Sequence, residues 1–160
     1  MANVSEDELS SGNNYSKQVE DFAKNSGDEF TLISARIEEE LSSLDDDEAS
    51  SYLSELGVED SGLKRLAESS FELLGLQTYL TTGEKETRAW TILKGATAPQ
   101  AAGVIHTDFE KGFIRANIVS YDDFVSCEGL KVAKEKGLMR QEGKEYIMQD
   151  GDVVEFLFNN

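Results

Sequence analysis

One short run, Phe30 to Ile33 in "DEFTLIS", has the length and composition of a strand and stands alone among helical stripes. A lone strand leaves the backbone groups on both its edges unpaired, so this half of the chain is expected to lack sheet partners. Around it the apolar period is helical. Tyr15, Val19, Phe22 and Ala23 fall on one helix face, Ile37, Leu41 and Leu44 resume the period, and Ala49, Tyr52, Leu53 and Leu56 repeat it. Asp45 to Glu48 suit the first turn of that third helix, and Gly57 its end. Leu63, Ala67, Phe71 and Leu74 make a further stripe, closed by Gly75.

Beyond Gly83 the pattern changes. Residues 1–84 hold 20 of the 32 acids and 5 of the 15 bases, a charge of −15, whereas residues 85–160 hold 12 and 10, a charge of −2. A domain boundary is therefore expected near Gly83, giving 1–83 and 84–160. "RAWTILK" reads as a strand ending at Gly95, and "TAPQAAGVI" as a short helix with Thr97 as N-cap and a proline in its first turn. "GFIRANIVS" alternates, with Ile114, Ala116 and Ile118 assigned to one face and Arg115 and Asn117 to the other. "YDDFVSCEGLKVAKEKG" reads as a short helical stretch, and "KEYIMQDGDVVEFLF" as two strands joined in a hairpin at Asp150-Gly151. The expected class is α+β, with a mixed sheet wrapping a helix after a mostly helical half.

The net charge of −17 argues against a chain-wide grip on nucleic acid, and no DNA partner is expected. No apolar run approaches membrane-spanning length, and "MANVSEDELSS" has neither a basic nor an apolar leader region, so a cytoplasmic protein without a membrane partner is expected. The single cysteine, Cys127, rules out an internal disulfide framework and reads as a buried small side chain.

"GVIHTDFEKGFIRA" contains the only histidine, His106, two residues before Asp108. A closed metal site takes four ligands and a catalytic one usually three, so the ligand count favours a structural link from helix to strand. No nucleophile has a convincing base beside it, and no catalytic or metal-binding residue is assigned. "GLMRQEGKE" is not a phosphate loop, because Gly137 is one residue too distant and Glu145 stands where Ser or Thr would bind magnesium. Two other pieces are better placed for a ligand. "NVSE" (Asn3 to Glu6) and "ISA" (Ile33 to Ala35) lie where loops begin, and ligands of parallel α/β sheets bind at strand ends. Asn3 can hydrogen-bond a purine edge, Glu6 can accept from an exocyclic amine, and the Ser34-Ala35 backbone can offer N–H groups.

These pieces recur in a particular order: "NVSE", "ISARIEEEL", "ELLGLQTYLTTGEKETRAWTILKGATAPQAAGVIHTDFEKGFIRA", "YDDF", "EGKEYIMQDGDVVEF" and "FN". In that array the chain resembles the C-terminal portion of the YchF/Obg-like ATPase family, the ATP-preferring branch of the Obg group of P-loop NTPases. The resemblance implies that residues 1–83 are the remnant of an α/β nucleotide-binding domain with added helices. It implies that 84–160 form a β-grasp TGS domain. "NVSE" would be the degenerate fourth nucleotide motif, with Val4 and Glu6 in place of the usual lysine and guanine-reading aspartate, and "ISA" the fifth. Asn3, Val4, Glu6, Ser34 and Ala35 are then the base-binding residues. The phosphate loop, the magnesium-binding threonine and the switch regions precede the fourth motif in this family. "MANVSE" is therefore expected to be an internal start or a truncation, with ATP or GTP and Mg²⁺ bound by the full-length parent and none by these residues alone. Relatives with TGS domains engage RNA or the ribosome, which directs attention to Lys85, Arg88, Lys94, Lys111 and Arg115. Phe113 and Tyr121 are candidate stacking partners, the alternative being that these are ordinary solvating charges and core aromatics. The competing expectation is a protein adaptor working through the exposed edge of the grasp sheet, without nucleic-acid contact.

Overall fold

The computed structural model describes residues 1–83 and 86–159, in two compact units, Met1–Leu74 and Gly75–Asn160. In the first unit β1 (Ala2–Asn3) runs parallel to β2 (Leu32–Ile33), pairing Ala2 with Leu32 and Asn3 with Ile33. The expected lone strand thus has one partner. That partner is only two residues long, too short to leave a period in the sequence. Helices α1 (Asn14–Ser26), α2 (Ala35–Leu41), α3 (Asp46–Glu55) and α4 (Gly62–Leu73) surround the pair, and a single 3-10 turn, Glu6–Glu8, follows β1. Their starts are fixed by side chains that satisfy the first N–H groups. Asn13 Oδ1 accepts from Tyr15 and Ser16, Asp45 Oδ1 from Glu48 at 2.9 Å, and Ser61 Oγ from Lys64 at 3.1 Å. Glu38 reaches from α2 to the head of α4, accepting from the Gly62 N–H at 2.7 Å.

The core of this unit is Val4, Leu9 and Ile37, with Leu32, Leu41, Tyr52, Leu56 and Val58 packed against it. The face of α1 expected to turn inward does not. Tyr15 is 79% and Phe22 70% exposed, and the buried residues of α1 are the small Ser16 and Ala23.

The second unit is a five-stranded sheet in the order β4-β3-β7-β5-β6. Its strands are β3 (Leu76–Thr82), β4 (Thr87–Leu93), β5 (Phe113–Ser120), β6 (Arg140–Glu142) and β7 (Asp152–Phe158). Only the central pair β3 and β7 is parallel, the arrangement of a β-grasp. The unit begins at Gly75, so β3, which precedes the charge break near Gly83, belongs to the sheet. Helix α5 (Ala98–Ile105) crosses one face, and α6 (Thr107–Lys111) follows it. Ala98, Ala101 and Ala102 let α5 approach closely, against Tyr79, Ile92, Phe113, Ala116, Ile118, Met148 and Val154. On the other face α7 (Tyr121–Ser126) and α8 (Leu130–Glu135) cover Val119 with Cys127 and Ala133. The short helical stretch is thus two helices, separated where Glu128 takes φ 53 and Gly129 φ 131.

Two further expectations are corrected. The register of β5 against β7 shifts between Phe113 and Arg115, so Phe113, Ala116 and Ile118 face the core while Ile114 is 49% exposed. Asp150-Gly151 turns the chain but makes no hairpin. Tyr146 and Met148 bond instead to the segment before α5, through Ala98 N–H to Tyr146 O at 2.9 Å and Met148 N–H to Ala96 O at 3.0 Å.

Candidate functional site

β1 and β2 run in the same direction, so the loops that leave them emerge side by side. Between them lies a cleft of about 240 Å³ lined by Asn3, Val4, Ser5, Glu6, Asp7, Ser34 and Arg36. Two bonds set its floor. The Val4 N–H donates to Ile33 O at 2.9 Å, and the Ala35 N–H donates to Asn3 Oδ1 at 3.0 Å. The Ala35 amide, expected to face a ligand, is thus engaged by Asn3, which leaves the Asn3 Nδ2 group as the donor on offer. Val4 turns its side chain into the core with Leu9 and Ile37, and Ser34 is 1% exposed, so both shape the cleft from beneath. Glu6, at the head of the 3-10 turn, is half-buried at the cleft wall.

Arg36 was not singled out from the sequence, yet it lines the same cleft. Its Nε donates to Glu40 Oε1 at 3.1 Å, and Tyr52 Oη donates to Glu40 Oε2 at 2.6 Å. Those contacts hold Glu40 below the usual carboxylate range, the Tyr52 hydrogen bond contributing most. The same bond pushes Tyr52 up to about 12. The signal in the sequence was available: Arg36 follows "ISA" directly and has Glu40 four residues on.

The RNA candidates do not form one patch. Arg115 lies opposite Leu157, near the end of β7, and Lys111 closes α6 just before β5, so these two share one end of the sheet. Lys94 lies level with Gly75 at the start of β3, to which β7 is parallel, and so belongs to the opposite end. The Arg88 guanidinium stacks 4.1 Å from the Trp90 ring centroid. Phe113 is buried in the core, which removes it as a stacking partner, and Tyr121 is 53% exposed. Lys85 lies outside the described residues.

His106 is the N-cap of α6, its Nδ1 accepting from the Asp108 N–H at 3.2 Å. The Asp108 carboxylate is 3.5 Å from the same nitrogen. Among the described residues no group of three or more His, Cys, Asp or Glu side chains is arranged to hold a metal. No helix among them is long and apolar enough to cross a membrane.

Fold and cleft together define an α+β chain that carries a strand-end cleft on one unit and a β-grasp sheet as the other. Residues 76–159 match the family model YchF-GTPase_C, described as a protein of unknown function (DUF933), and the chain belongs to that family. It is 52% identical over 159 residues to a protein of Escherichia coli O157:H7 named "Ribosome-binding ATPase YchF", covering 99% of this chain and 44% of the relative. The protein of the same name from Bacillus subtilis strain 168 is 49% identical over 161 residues, with the same coverage, 99% and 44%. Among solved structures, that of the Schizosaccharomyces pombe YchF GTPase matches with TM-score 0.79 at 36% identity, covering 98% of this chain and 42% of that one. The chain spans less than half the length of the curated relatives it matches.

Proposed function

We propose that the first unit is the C-terminal remnant of a nucleotide-binding domain, reading the nucleobase, and the second a TGS module that engages the ribosome through RNA. The observation carrying the first part is the Asn3–Ala35 hydrogen bond, which ties the ends of two parallel strands together beside Glu6. A purine fits the chemistry there: Asn3 Nδ2 donates to a ring nitrogen, and the Glu6 carboxylate accepts from an exocyclic amine, as adenine presents. The cleft of about 240 Å³ is smaller than the roughly 300–1,000 Å³ of pockets that enclose a whole ligand, so it suits a ring and not a triphosphate. The 160 residues contain no Gly-x-x-x-x-Gly-Lys-Ser/Thr, and among those described no cluster of carboxylates suited to Mg²⁺. ATP or GTP with Mg²⁺ belongs to a longer parent, and this chain alone is expected to turn over neither.

The relatives' names, ribosome-binding ATPase and GTPase, support a ribosomal partner, a nucleotide-dependent parent and a cytoplasmic setting. Within the second unit, Lys111 and Arg115 are the phosphate contacts this reading favours, because they share one end of the sheet. Co-sedimentation with ribosomes at rising salt tests it. Lys111→Glu with Arg115→Glu is expected to weaken binding and to flatten the slope of log K against log salt by roughly 1.5 to 2. Binding indifferent to salt and to both charges removes the RNA reading and leaves a protein contact.

A further inference from the structure

The sheet of the second unit has two unlike edges. β6 is 3 residues long, which blunts its edge. β4 has 7 residues, no proline and no register shift against β3. The Lys94 N–H donates to Gly75 O at 2.7 Å, and strand alternation then turns the N–H and C=O of Arg88, Trp90 and Ile92 toward β3. The N–H groups of Ala89, Thr91 and Leu93 therefore point away from the sheet, and no described residue bonds to them.

Beside this edge, between β4 and α5, runs a groove of about 550 Å³ with Leu76, Ile92, Leu93, Ala96, Gln100 and Val104 in its walls. Leu93 is 64% and Val104 49% exposed. In a chain with 32 acids, residues 87–104 contain none, and they carry Arg88 and Lys94 at the two ends of the strand.

We infer that the β4 edge and the β4–α5 groove form a docking site for an extended, apolar and acidic segment of another protein, which adds a strand to the sheet. Its backbone pairs with the outward amides, one apolar side chain enters the groove, and a carboxylate lies near Arg88. A second copy of this chain fits less well. Its own residues 87–104 contain no acid and so offer Arg88 no carboxylate.

The probe is an acetylated, amidated heptapeptide of alternating valine and isoleucine with aspartate at both ends, titrated into the 160-residue chain and followed by amide chemical shifts. Shifts should be confined to Gly75, Leu76 and residues 87–105, and replacing the aspartates by lysine should weaken binding at least about tenfold. Thr91→Pro removes one outward donor while sparing the ladder to β3, and should cost about tenfold in affinity. Val104→Glu, at an exposed helix position, should do the same, and serves alone if Thr91→Pro disturbs amides beyond residues 87–105. Shifts elsewhere, equal affinity of the lysine peptide or the variants, or no shift at millimolar peptide overturns the proposal. A dimer by sedimentation that disperses with Thr91→Pro also overturns it, in favour of a second copy.

Discussion

Gly112 shows how much one residue constrains the second unit. Its N–H donates to Asp108 O at the end of α6, and its carbonyl accepts the Asn159 N–H at 2.9 Å. A Cβ there would collide with the Asn159 carbonyl oxygen, which is backbone and cannot swing aside. Gly112→Ala is expected to lower stability by about 1–3 kcal/mol in a chemical melt, the range of overpacked sites. Tyr79 makes a gentler test. It is fully buried, its hydroxyl donates to Ala101 O at 2.9 Å, and burial pushes its ionisation well up. Tyr79→Phe removes that second bond to a helix carbonyl and is expected to cost about 0.5–1.5 kcal/mol by the same melt, with the fold retained. Position by position, Asn3, Glu6 and Ser34 line the strand-end cleft where their place in the sequence puts them, whereas the capture of the Ala35 amide by Asn3, 32 residues away in sequence, depends on two strands lying side by side.

Among the elements, α2 and α3 are tied through the Tyr52–Glu40 contact, and the tie has a pH signature. Tyr52 is raised from 10.0 to about 12. The neutral phenol is the bonded form, so this contribution is complete below pH about 10 and fades as pH rises through about 12. Ultraviolet titration of the chain minus that of Tyr52→Phe should isolate a late-ionising tyrosine, and Glu40→Gln should bring it back toward 10.0. A Tyr52 ionising near its ordinary value in the parent chain would mean the contact is not kept in solution. The helices whose starts lie in the local sequence were readable, α3 from the acids Asp45 to Glu48, α5 from Thr97 and the proline in its first turn. What escaped was pairing. β3 lay hidden because the boundary was placed by charge, which says nothing of strand partners. The Asp150-Gly151 hairpin failed because Tyr146 and Met148 find their bonds about fifty residues upstream, beyond the reach of any turn rule. Ile114 was placed on the wrong face of β5 because the register shift between Phe113 and Arg115 breaks the alternation there, while Ala116 and Ile118 face the core as expected.

For the whole molecule, each unit has its own buried cluster, so residues 75–160 expressed alone should keep a cooperative melt and the circular dichroism of a mixed sheet. The likeness to the YchF relatives extends over 99% of this chain but only 44% of the Escherichia coli protein, so more than half of that relative has no counterpart here. The proposed reading, in which the strand-end cleft takes the base alone, requires the chain to treat nucleoside and nucleotide alike. The direct measurement is a pair of amide-shift titrations of the 160-residue chain, one with adenosine and one with ATP and Mg²⁺, with hydrolysis followed in parallel. Equal, weak binding of both, with shifts confined to Asn3–Glu6 and Ser34–Arg36 and no phosphate released, is the expected result. ATP held far more tightly than adenosine in a Mg²⁺-dependent way, or turned over, contradicts it.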